Sequence, residues 1–151
     1  MISVRAWQVT CGVAILWAIG SQGLARAQIG VGTWVQKSGA MVGTTLTVEE
    51  CCDGGRRLTY RMTGTDVVMI VESKFDGSDA TVMLNGKASD QTMAINRVDD
   101  LHTVAVLKMK GQPYGTSKGT LSADGRTLTV ENEMKMGGQE PGKTTEVWVK
   151  K

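Results

Sequence analysis

The sequence predicts an all-β fold, an antiparallel up-and-down meander of about eight to ten strands that closes into a barrel. Three observations predict it. Apolar and polar residues alternate with period two in segment after segment; glycine-containing turn signals separate those segments; and beyond residue 27 no stretch sustains a helical period.

The alternation comes first. Leu46 and Val48 alternate with Thr45, Thr47 and Glu49, and Leu58, Tyr60 and Met62 alternate with Arg57, Thr59 and Arg61. Leu128, Val130, Asn132 and Met134 alternate with Thr127, Thr129, Glu131 and Glu133, and Val147 and Val149 with Glu146, Trp148 and Lys150. Each run sets apolar side chains on one face and polar ones on the other, as a sheet with one solvated face requires. The strands so read span 32–37, 43–51, 56–63, 66–74, 79–84, 91–98, 102–110, 115–122, 126–135 and 143–150.

The turns come next. Asp53-Gly54-Gly55, Asp76-Gly77-Ser78-Asp79, Asn85-Gly86, Asp99-Asp100, Gly111-Gln112-Pro113 and Asp124-Gly125 separate the runs. Asn-Gly and Asp-Gly suit the positive-φ positions of tight hairpins. Tight connections pair each strand with its sequence neighbour, and a twisted meander of this many strands curls until its edges meet. A Greek-key sandwich is the alternative. Pro113 and Pro141 both fall in loops on this reading, and 137–143 reads as a longer loop.

The first 27 residues are set apart as a signal peptide. Arg5 precedes an apolar run from Val9 to Ile19, and Ala25-Arg26-Ala27 is an A-x-A cleavage site. The run is shorter than the roughly 20 residues of a membrane span, which weighs against an uncleaved anchor. Cys11 lies inside the apolar run and forms no lipidation site. Residues 28–151 are then one exported barrel domain, periplasmic or extracellular, with no stable membrane insertion of the mature chain. Arg5 and Arg26 leave with the signal, so the chain's 17 basic and 15 acidic residues become 15 and 15. A neutral, mixed surface gives no reason to expect nucleic acid or anionic membrane as a partner.

Candidate chemistry is sparse. Cys51 and Cys52 are adjacent, and free thiols, a vicinal disulfide and pairing with another chain all fit an exported domain. No metal site is expected, since zinc takes about four ligands and His102 is the one histidine. His102 follows Asp99 and Asp100, which could orient it as a base, but a histidine beside acids at a hairpin tip is what a solvated turn shows by itself, and that reading is preferred. Glu131 and Glu133 share the wet face of their strand. Arg57 and Arg61 point outward if Tyr60 and Met62 point inward, unless a bulge turns one arginine inside. The sequence predicts neither catalysis nor a cofactor. The many methionines suit either an adaptable pocket or plain core filling.

Gly32-Thr33-Trp34 opens the first strand, and Thr145-Glu146-Val147-Trp148-Val149-Lys150 forms the last. Between them stand Ser73-Lys74-Phe75-Asp76-Gly77, Arg97-Val98-Asp99-Asp100 and Ser122-Ala123-Asp124-Gly125-Arg126-Thr127-Leu128-Thr129-Val130. On these motifs the domain resembles exported bacterial lipocalin-like domains, within the calycin group of lipocalin and fatty-acid-binding-protein-like barrels. The resemblance covers nearly all of 28–151. It implies that Gly32 and Trp34 close the barrel's base. It also shows two departures. Glu146 and Trp148 stand where fatty-acid binders carry an arginine–tyrosine carboxylate clamp, and residues 38–43 are too short and glycine-rich for a helical lid.

The expected function is a non-enzymatic binding module. A small apolar or amphipathic molecule would sit in the barrel against Tyr60, Met62, Met69, Met109 and Met134. The alternative is a structural or protein-interaction module with a filled interior.

Overall fold

The computed structural model describes residues 29–135, 137 and 140–151. The signal peptide expected over 1–27 lies outside them. Ten strands follow one another: β1 (Gly32–Ser38), β2 (Thr45–Cys51), β3 (Gly55–Arg61), β4 (Val68–Ser73), β5 (Asp76–Leu84), β6 (Lys87–Arg97), β7 (His102–Met109), β8 (Gln112–Leu121), β9 (Thr127–Met134) and β10 (Gly142–Lys150). Each pairs antiparallel with its sequence neighbours, and β10 pairs with β1 to close the barrel. The meander forms, and the Greek-key alternative does not. Closure leaves no strand with an unpaired edge.

Several boundaries moved for identifiable reasons. Asn85 (φ 48°) and Gly86 (φ 78°) make a two-residue turn, so β6 begins at Lys87 rather than at residue 91. Lys110 (φ 50°) and Gly111 (φ 78°) make a second such turn, so β8 begins at Gln112. Pro113 therefore lies in a strand and not in a loop. It is tolerated because the β7–β8 register shifts there, between Leu107 and Lys108.

Two ends result. The base carries the chain entry at 29–31, the β2–β3, β4–β5, β6–β7 and β8–β9 turns, and Lys151. The mouth carries the other five connections. The base is packed solid. Trp34 is fully buried with Phe75, Leu121 and Leu128, and its indole Nε1 donates to the Gly30 carbonyl at 3.4 Å. Lys150 Nζ lies over the Trp34 ring, 5.8 Å from its centroid. Gly32 takes a φ of 139°, a backbone conformation that side-chain-bearing residues rarely adopt, and Lys150 Cε packs directly over it.

The sequence motifs turn out to be the chemistry of the base turns. Ser73 Oγ accepts from the Phe75 amide at 3.1 Å, and Phe75 takes a positive φ of 59° that delivers its ring to the base. Asp99 Oδ1 accepts from the Leu101 and His102 amides at 2.8 and 2.9 Å, while Arg97 grips the Asp99 carbonyl and pairs with Asp100. Ser122 Oγ donates to Asp124 and accepts from Thr127, tying β8 to β9. Cys51 and Cys52 form a vicinal disulfide where β2 turns into β3.

One strand differs from its sequence reading. Alternation turned the valines of β10 inward; the structure turns Glu146 and Trp148 inward instead. Trp148 is 4% exposed and pairs with inward-facing Leu128 and Gln36. The indole buries far more apolar area than either valine, so it sets the parity, and Glu146 follows two residues away.

Candidate functional site

Above the base, the barrel is hollow. A cavity of about 240 Å³ runs up its axis toward the mouth. An apolar cavity of roughly 150 Å³ already holds benzene. It exists because the inner wall of β7 and β8 is built from small residues: Ala105, Ser117 and Gly119 face the space that larger side chains would fill. A Cβ on Gly119 would come within 2.6 Å of Thr103 Oγ1.

The wall opposite is soft and apolar. β3 contributes Leu58 and Tyr60, β4 contributes Met69, and Met62 stands just beyond the end of β3. Met134 lines the cavity from the mouth end of β9. Four of the five residues singled out in the sequence as possible ligand contacts, Tyr60, Met62, Met69 and Met134, thus share one cavity. Met109 does not join them. It keeps the parity of inward Ala105 and Leu107, but it is the last residue of β7, beside the Lys110-Gly111 turn, and is 38% exposed.

The polar groups of the cavity cluster around β10. Trp148 Nε1 donates to Glu146 Oε2 at 3.1 Å. The Tyr60 ring meets Trp148 edge-on, at 5.9 Å between centroids and 76° between planes. Burial, and secondarily the negative charge of Glu146, push the Tyr60 hydroxyl well above the ordinary tyrosine range. Gln36 is 2% exposed; it faces the cavity beside Trp148, and its Nε2 donates to the Ser38 carbonyl at 3.2 Å. Ser117 Oγ donates to Asn132 Oδ1 at 2.5 Å across the β8–β9 pair. Sequence reading missed Glu146 and Gln36 as cavity residues. Counting parity from the tryptophans, Trp148 and Trp34, places both inward.

The other candidates lie elsewhere. Arg57 bonds Glu72 on the outside at 2.8 Å, and Arg61 is exposed. The arginine that shares the inward parity of β3 is Arg56, at the base, paired with Glu50 at 3.6 Å and outside the cavity lining. His102 Nδ1 meets Asp99 at 2.8 Å on an exposed base turn. Hydrogen bonds from backbone amides and from His102 hold the Asp99 carboxyl below its usual range. Glu131 and Glu133 are exposed. Donor atoms of Cys51, Cys52 and Glu72 lie within 4.8 Å of one another, but two sulfurs joined to each other supply no thiolate for a metal. No helix among the described residues is long and apolar enough to cross a membrane.

No protein-family model matches the chain, and no curated protein is significantly similar to it in sequence. The structure defines the class: a closed, ten-stranded antiparallel up-and-down barrel with an internal cavity.

Proposed function

We propose that this is an exported, lipocalin-like binding module, without catalytic activity, that carries a small apolar or amphipathic molecule inside its barrel. The observation that carries the reading is the cavity of about 240 Å³, whose wall is largely aliphatic, methionine and aromatic. Such a volume weighs against the alternative of a filled interior serving a purely structural role. Methionine side chains on the wall can adapt to a guest of irregular shape. The turn setting of His102, away from the cavity wall, supports a non-enzymatic role. Export rests on the Arg5, apolar-run and Ala25-Arg26-Ala27 pattern.

The test is displacement of an environment-sensitive apolar dye, together with native mass spectrometry of protein taken from its own host. Dye should bind with a one-to-one stoichiometry, and Ala105→Leu, which grows a side chain into the cavity, should weaken it at least about tenfold while leaving the β-sheet circular dichroism intact. Unchanged dye binding in Ala105→Leu would sink the reading, because the dye would then be bound on the outside.

A further inference from the structure

Taking the binding reading as its ground, we infer that the ligand is an amphipathic cation, an apolar body with an ammonium-type head that seats against Glu146. Among the described residues that line the cavity only Tyr60 and Glu146 are ionisable, and none is a lysine, arginine or histidine. Among the described residues no cation pairs with Glu146. Glu146 is half-buried on a largely apolar wall with the Trp148 indole N–H as its side-chain hydrogen-bond partner, and a cationic head entering the cavity meets a carboxylate there to pair with.

The surroundings suit that head. Trp148, whose indole N–H meets the carboxylate, packs edge-on against Tyr60, so two aromatic side chains border the place where that head would sit. Gln36 offers its amide from the adjacent strand. Gly39, in the β1–β2 connection, packs close beside the stem of Glu146: a Cβ there would sit 3.0 Å from Glu146 Cγ. An anionic head meets the opposite situation: a like charge, with no base on the wall to offset it. The methionines of β4 and β9 take the apolar body.

The test compares three probes of equal chain length, octylammonium, octanol and octanoate, by quenching of tryptophan fluorescence at neutral pH. Octylammonium should bind about ten- to a hundredfold more tightly than octanol, with octanoate weakest. Glu146→Gln, nearly isosteric, should bring octylammonium down to the level of octanol measured on the same variant. The ranking in the unaltered protein stands even if that variant folds poorly. Octanoate binding as tightly as octylammonium, or an ammonium preference that survives Glu146→Gln, overturns the inference while leaving the barrel a binding module. Failure of all three probes to bind overturns the binding reading and the inference together.

Discussion

Burial and the Glu146 charge act on the Tyr60 hydroxyl in the same direction, and the consequence is measurable. A folded-state value raised above the ordinary tyrosine value of about 10 leaves stability intact below that pH. Above it the unfolded chain ionises first, so stability falls as pH rises toward the folded value. Partial burial raises Tyr114 as well. Tyr60→Phe should therefore reduce, not abolish, the loss of stability between about pH 8 and about pH 11, read as the shift in urea midpoint. An identical alkaline loss in Tyr60→Phe would show that Tyr60 titrates no differently folded and unfolded. Gly55 offers a second test at this scale. A Cβ there would lie 2.7 Å from the Ser73 carbonyl oxygen, which is backbone and cannot swing away. Gly55→Ala should destabilise the protein by about 1–3 kcal/mol in chemical denaturation. Residues of this kind differ in how far sequence exposes them. Met62 and Met134 sit in strongly alternating runs, and their side of the strand is readable. Glu146 is not, because two valines and one tryptophan argue opposite parities, and only the packed barrel decides for the tryptophan.

At the scale of elements, the hairpins show the same physics with different residues. The β5–β6 and β7–β8 turns have nearly the same geometry, with first residues at φ 48° and 50°. Asn85 tolerates that conformation, and its Oδ1 also accepts from the Val68 amide at 2.8 Å, fastening the hairpin to β4. Lys110 gains nothing comparable from a left-handed backbone. Lys110→Asn should raise stability by about 1 kcal/mol, seen as a higher denaturation midpoint. Asn85→Lys should lower it, and by more, since the bond to Val68 is lost with the preference. The contrast explains which hairpins could be read from sequence. Asn85-Gly86 and Asp124-Gly125 announce themselves. The Lys110-Gly111 turn does not, and the adjacent proline drew the loop three residues too far.

At the scale of the whole molecule, closure was legible from connectivity. Ten short strands joined by tight turns have few ways to avoid exposed edges. The hollow interior was not legible, because methionine packs a core as readily as it lines a pocket. What keeps this barrel open is the coincidence of Ala105, Ser117 and Gly119 on one inner wall, and small residues carry no periodic signal of their own. Closure also fixes where the two ends of the barrel lie. Trp34 pairs with Lys150, and the Lys151 amide donates to the Thr33 carbonyl at 2.9 Å, so the entry at 29–31 and the exit at 151 are neighbours at the base. A short glycine-rich linker from Lys151 to Ile29, with new ends opened at exposed Gly64 in the β3–β4 connection, breaks no strand pair and leaves every core contact in place. This permutant should fold to the same β-sheet spectrum, keep the buried-tryptophan fluorescence and bind the same apolar dye. Deleting residues 142–151 should do the reverse: it strips β10 from between β1 and β9, bares two long edges, removes Trp148 from the core, and should give an aggregating chain without cooperative unfolding. A permutant that failed to fold while the truncated chain stayed monomeric and cooperative would mean that β1–β10 pairing does not hold the barrel shut.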